Sequence, residues 1–284
     1  MTRLAVAAVI AAASAAGPQE AGRFVSKVEA VRVDVLVVES GRPVRGLKAE
    51  DFEILDEGVP QQVDLVSFEQ LPLNAILVFD VSASVAGDRL EHLRAAGGAL
   101  LDELRPEDQA AVVTFSHVLT LGSGLTHDVT RVRMSLDAVR ASGETALLDG
   151  TYAGIMLAEA DIGRALLLVF SDGVDTASWL TSEAVLETAK QSDAVVYGVT
   201  VRGGGTPRFL RDVSAFTGGS LFEIESTKDL KALFPRILEE FRQRYLVSYS
   251  PQGVSKTGWH RLEVHVKNHR ATIKARPGYL AGVK

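Results

Sequence analysis

The chain has 284 residues, 46% of them hydrophobic, which is material for a sizeable core and for more than one module. Thirty basic against 36 acidic residues leave a net charge of −6, a balance that argues against nucleic acid or an anionic membrane as partner. Cysteine is absent, which excludes a disulfide framework and a lipoprotein anchor, so stability must come from the core.

Arg3, the apolar run Leu4 to Ala13 and the small residues Ser14-Ala15-Ala16 have the charged, apolar and small-residue regions of a secretory signal peptide over 1–16. The apolar run is too short to span a bilayer, and no later one reaches that length. Cleavage near Ala15 or Ala16 predicts a secreted, periplasmic or cell-envelope protein of 29 basic and 36 acidic residues; an uncleaved anchor is the alternative.

Downstream, over 24–70, the spacing predicts a β segment. Val31, Val33, Val35 and Val37 alternate with Arg32 and Asp34, the period of a half-buried strand. Ser40-Gly41-Arg42-Pro43 is turn chemistry, and Phe52 to Leu55 with Val63 to Phe68 read as a hairpin around Asp56-Glu57-Gly58. Over 73–244 strands and helices alternate, as in a doubly wound, mostly parallel α/β sheet. The expected strands are 74–80, 109–116, 118–122, 163–171, 193–201 and 219–224; the helices are 88–104, 128–140, 145–159, 181–191, 206–216 and 226–243. Strand 118–122 follows its predecessor too closely for a crossover and should be an antiparallel edge. Ser226 to Asp229 is a capping box, and Leu230, Leu233, Phe234, Ile237, Leu238 and Phe241 form the core face of the last helix. Over 245–281 three more strands are expected: Tyr245 to Tyr249, Trp259 to Lys267 and Ala271 to Ala275. Segments this short rarely stand alone, so the two flanks are expected to pack as one small β-sandwich into which the central domain is inserted.

Five oxygen-bearing residues fall at the ends of predicted strands or the starts of helices: Asp80, Ser82, Ser84, Thr145 and Asp172. In an open parallel sheet the ligand site lies outside the carboxyl ends of the strands, where strand order reverses. If the strands ending at Asp80 and Asp172 are neighbours, two carboxylates converge, and either a proton or a cation must relieve their repulsion. Hydroxyls complete an all-oxygen set suited to Mg2+ or Mn2+, with a position left for water or a partner group; soft or nitrogen-preferring metals find no ligands there.

This pattern, Asp-x-Ser-x-Ser followed by a Thr and an Asp, resembles the metal-ion-dependent adhesion site of von Willebrand factor A domains, and the resemblance covers roughly Leu73 to Tyr245. The flanks resemble a secreted bacterial group, the VWFA-related Acidobacterial domain family, at Arg45-Gly46-Leu47 through Asp51-Phe52, at Asp56-Glu57-Gly58 and at Arg276-Pro277-Gly278-Tyr279. Departures are Ala83 where Gly is common, Val85 where Met is common, and Glu144 after Gly143 in place of the second Gly of Gly-Gly-Thr. Glu144 either approaches the metal or points into solvent as a helix-start acid. The resemblance implies a protein partner that offers an Asp or Glu carboxylate to the metal, in adhesion or complex assembly. It also implies that ligand binding can shift the metal's contacts between Asp172 and Thr145 and move the 226–243 helix.

Partner contacts are further assigned to Gly143, Glu144, Asp175 and Trp179; for Trp179 the alternative is a ring covering the adjacent helix. No catalytic residues are assigned. A phosphate-binding Gly-x-x-x-x-Gly-Lys loop and a nucleophile elbow are absent, Ser82 stands where an aspartyl phosphatase needs a second Asp, and the six histidines form no ligand set. Binding rather than turnover of a small-molecule substrate is therefore expected. A structural module of the cell envelope is the main alternative and a metal-assisted hydrolase the least favoured.

Overall fold

The computed structural model describes residues 30–68, 71–161, 163–203 and 208–282. The signal-peptide reading over 1–16 falls outside the described residues.

A six-stranded sheet forms the centre. Its strands are β6 (Leu73–Asp80), β7 (Gln109–Phe115), β8 (Leu119–Thr126), β9 (Arg164–Phe170), β10 (Val195–Val201) and β11 (Leu221–Ile224), in the order β11-β10-β9-β6-β7-β8. All pairs are parallel except β7 with β8, which is the antiparallel edge expected from the short connection. That edge is longer than the sequence suggested, because β8 runs on to Thr126 past a register shift opposite Val112. All residues of β6 and β9 are buried, as befits parallel strands covered on both faces.

Helices α1 (Asp88–Asp102), α2 (Val129–Ala138) and α6 (Leu230–Arg242) supply Leu93, Leu100, Val132, Leu136, Phe234 and Phe241 to one face, against Leu77 and Phe79 of β6. Helices α3 (Leu147–Ala158), α4 (Ser182–Gln191) and α5 (Arg208–Phe216) cover the other, against Ile76 and Val78. The capping box at Ser226 and Asp229 is present, but it opens a short 3-10 turn, Thr227–Asp229, that leads into α6.

The chain ends form two further sheets. One contains β1 (Val31–Glu39), β2 (Arg42–Pro43), β5 (Val63–Phe68), β12 (Tyr245–Tyr249) and β14 (Thr272–Lys274), in the order β14-β1-β12-β5 with β2 beside β1. The other contains β3 (Phe52–Asp56), β4 (Val59–Gln61), β13 (Gly258–Val266) and β15 (Gly278–Ala281), in the order β15-β13-β3-β4. Val33, Val35, Ile54, Val247, Leu262 and Tyr279 share one hydrophobic cluster between the sheets.

The hairpin expectation needs correction. The partner of β3 is β4, joined through Glu57 at φ 50° and Gly58 at φ 77°, a two-residue turn with both residues left-handed. The run Val63–Phe68 crosses to the other sheet and pairs with β12. Strand β15, which pairs with β13, was not anticipated either.

Buried arginines fasten the central sheet to the flanking strands. Arg164 of β9 donates from Nε to Asp34 of β1 at 2.9 Å, with both side chains under a tenth exposed. Arg244, wholly buried between α6 and β12, donates to the Tyr197 hydroxyl at 3.0 Å and to the carbonyls of Gly218 and Asp34. Arg276 reaches Asp193 at 3.2 Å and the Lys190 carbonyl at 2.7 Å.

Candidate functional site

Strand order reverses between β6 and β9: the chain leaves β6 toward β7 on one side and returns to β9 on the other. The two strands run in parallel register with Phe79 opposite Phe170, so the residues that follow, Asp80 and Ser171-Asp172, emerge side by side at the carboxyl edge. The apolar runs that make both strands buried thus also place two acids at the same crevice.

Asp80 is fully buried and held by two donors: the Ser82 amide to Oδ1 at 2.8 Å and the Ser171 hydroxyl to Oδ2 at 2.6 Å. Burial pushes its carboxyl above the ordinary value of 3.8; hydrogen bonds from Ser171 and Ser82 oppose the rise, and the Asp172 charge adds to it. Asp172, 6% exposed, accepts the Ser84 hydroxyl on Oδ1 at 2.6 Å, and the Ser84 and Ser82 hydroxyl oxygens lie 3.0 Å apart. Four of the five sequence-assigned residues are therefore linked in one chain of contacts.

Thr145 joins them through backbone. The Ala83 amide donates to the Gly143 carbonyl at 2.9 Å and the Ser142 amide to Val81 at 2.8 Å, stitching the 142–145 segment to the Ser82 loop. The amides of Thr176 and Ala177 donate to the Thr145 carbonyl, at 2.8 and 3.0 Å, and the Thr145 amide donates to the Thr176 hydroxyl at 3.1 Å. Thr145 is buried between the loops that carry the serines and Asp172. Gly143 has φ 80°, and a Cβ there would lie 1.8 Å from His117 Nδ1, so the segment takes this path only with glycine at that position.

The remaining assigned residues divide. Glu144 is exposed and precedes α3, whose N-cap is Ala146. Asp175 turns toward α3: its Oδ1 accepts the Ser178 hydroxyl at 2.5 Å and the Leu148 amide at 3.3 Å in that helix's first turn. Trp179 is 93% exposed, so it covers no helix. Its backbone is nonetheless fixed, because the buried Asp149 carboxylate accepts the Trp179 amide at 3.0 Å and the Leu180 amide at 2.9 Å.

Three contributors were missed from sequence. Ser171 could have been found by aligning the two apolar runs, since it then sits beside Asp80. Asp149, on α3, is visible only once α3 and the 172–180 loop are in contact. Arg89, in the first turn of α1, donates from its guanidinium to Asp172 Oδ2 at 2.7 Å and to the Ser84 carbonyl at 3.1 Å. Sequence reasoning offered only a proton or a cation as relief for the paired carboxylates; the guanidinium is a third.

As a donor set the site is entirely oxygen, two buried carboxylates and three hydroxyl residues, which suits a hard divalent cation. Among the described residues no three His, Cys, Asp or Glu side chains gather as a metal cage, so any cation here depends on the hydroxyls.

The von Willebrand factor type A domain family matches residues 75–174, the segment that contains all five residues. Inter-alpha-trypsin inhibitor heavy chain H2 of Mesocricetus auratus is 26% identical over 139 residues, 44% of this chain but 15% of the relative. An uncharacterized protein of Synechocystis, sll0103, is 31% identical over 88 residues, 30% of this chain and 21% of its own length. The chain thus spans a small part of the curated relatives it matches. Among solved structures, proximal thread matrix protein 1 of the mussel byssus, with a zinc-occupied MIDAS motif, superposes with a TM-score of 0.56 at 17% identity, covering 72% of this chain and 50% of that one. A D319A mutant of the PilB minor pilin of Streptococcus sanguinis gives 0.50 at 13% identity, over 61% and 62%. At these identities the structural likeness concerns the fold.

Proposed function

This chain carries a von Willebrand factor type A domain, and from that premise we propose that it binds a protein partner through a divalent cation held by Asp80, Ser82, Ser84, Thr145 and Asp172. Domains of this type mediate protein–protein interactions. The observation that carries the proposal is the convergence of two buried carboxylates and two serine hydroxyls within one hydrogen-bonded chain at the switch point of the sheet.

The chain's own residues would divide the work. Asp80 and Asp172 supply charge to balance Mg2+ or Mn2+, and Ser82, Ser84 and Thr145 supply neutral oxygens that leave the cation short of electrons. When bound, the cation is a Lewis acid able to accept one more carboxylate oxygen, from an Asp or Glu of the partner. Trp179, exposed and held by its backbone beside this rim, offers the partner an aromatic contact. A role in adhesion or complex assembly outside the cytoplasm accords with the signal-peptide reading. Of the two carboxylates near the site that could act as a general base, Asp175 is occupied at the first turn of α3, which disfavours it as the base of a hydrolase.

Thermal unfolding in EDTA, then with Mg2+, Mn2+, Ca2+ or Zn2+, tests the cation. A metal at a hundred times its Kd adds about 2.7 kcal/mol to stability. A shift abolished in Asp80→Ala and Asp172→Ala is expected; an equal shift in wild type and both variants, or none, would sink the reading.

A further inference from the structure

The Arg89 guanidinium lies in the first turn of α1, where the helix dipole disfavours a cation, and that helix begins at Gly87 with no side-chain cap. What offsets this is an ion pair with the carboxylate that the proposed cation needs: Nη1 of Arg89 donates to Asp172 Oδ2 at 2.7 Å and to the Ser84 carbonyl at 3.1 Å, while the Ser84 hydroxyl holds Oδ1 at 2.6 Å. Both oxygens of Asp172 are thereby engaged. The two donors differ in kind, because a serine hydroxyl can donate to a carboxylate and still present lone pairs to a cation, whereas a guanidinium has donors only.

Resting on the metal-site reading above, we infer that Arg89 is a resident counter-ion of Asp172 that competes with the divalent cation for the Asp172 carboxylate and holds the site at low metal affinity. The Arg89 side chain is half exposed, 51% against 2% for Asp172, so the guanidinium can leave into solvent while the carboxylate stays in place. Its departure removes a positive charge from beside the incoming cation and frees Oδ2. Metal affinity then depends on how readily this one ion pair opens.

The test is Mn2+ binding, followed by titration calorimetry and by the paramagnetic resonance of free Mn2+, in wild type, Arg89→Ala, Arg89→Gln and Asp80→Ala. Arg89→Gln retains the length and a neutral donor, and guards against a general disturbance of the α1 start. Loss of the charge in either Arg89 variant is expected to tighten Mn2+ binding by about tenfold, from Coulomb repulsion of a unit charge on a divalent ion at partly screened contact range. The metal-induced rise in Tm should be larger than wild type in both. If wild type binds Mn2+ and neither Arg89 variant binds more tightly, the inference fails while the metal site stands. If neither wild type nor the Arg89 variants bind, or Asp80→Ala binds as wild type does, the metal-site reading fails and this inference with it.

Discussion

Arg164 and Asp34 form a buried ion pair between the first residue of β9 and the middle of β1, joining the central sheet to a strand of the flanking five-stranded sheet. The guanidinium also donates to the Phe241 and Arg244 carbonyls at 3.4 and 3.3 Å and lies 4.8 Å from the centre of the Phe241 ring. Removing one partner of a buried pair strands the other charge, which costs about 3–5 kcal/mol. Asp34→Ala should therefore lower the urea midpoint sharply, more than Arg32→Ala, whose ion pair with Asp193 is about two-fifths exposed on both sides. Equal effects of the two substitutions would show that the pair is not a main tie between the units.

Gly143 fixes the position of Thr145. Substitution by Ala meets two obstacles, a left-handed φ of 80° and a Cβ only 1.8 Å from His117 Nδ1. The combined cost is roughly 1–3 kcal/mol, borne by the 142–145 segment. Gly143→Ala is expected to weaken Mn2+ binding, and adding His117→Ala should recover part of the loss by removing the clash while leaving the backbone strain. Calorimetric titration of the single and double variants checks this; full recovery would mean the strain has no part in it.

Much of this arrangement was legible in the chain, for local reasons. Unbroken apolar runs at 75–79 and 165–170, of strand length and within a strand–helix alternation, read as strands buried on both faces, and their ends mark the crevice. The oxygen residues were legible because they follow those runs directly. What escaped notice depends on distant partners. Strand β4 contains Pro60, which cannot donate to a ladder and reads as a turn; it is tolerated because β4 is the outermost strand, beyond β3. Strand β15 has four residues after an Arg-Pro step, and its pairing with β13 is invisible locally. Arg89 looks like an ordinary surface helix residue until α1 and the β9 end are set side by side.

Trp179 should be dispensable for folding and needed for recognition. An indole 93% exposed contributes little burial, so Trp179→Ala is expected to change stability by less than about 0.5 kcal/mol. Asp149→Asn, by contrast, keeps acceptor capacity on one oxygen only and should loosen the loop that carries the ring, since two amides share the carboxylate. Urea unfolding together with the fluorescence anisotropy of Trp179, in a Trp259→Phe background, separates the two effects. A large stability loss in Trp179→Ala would contradict the exposed placement.

Alkaline pH should act on the buried tyrosines. Tyr249 and Tyr279 both donate to Asp56 Oδ2 at 2.9 Å, and His260 Nδ1 meets Oδ1 of the same carboxylate at 2.8 Å. Burial first, and for Tyr279 also the hydrogen bond to Asp56 and its charge, raises these phenols above their ordinary value of 10.0; burial raises Tyr197 likewise. A raised value in the folded state means the folded protein keeps a proton that the unfolded chain releases. The stabilisation is thus complete below about pH 10 and declines above it, by up to about 1.4 kcal/mol per pH unit for each tyrosine. Tyr279→Phe removes a hydrogen bond to a buried carboxylate, so it should lower stability at neutral pH by about 1–3 kcal/mol while flattening the decline above pH 10. Urea titrations at pH 8, 10 and 11 read both quantities, and an unchanged slope in Tyr279→Phe would show that this phenol ionises in the folded protein as freely as in the unfolded chain.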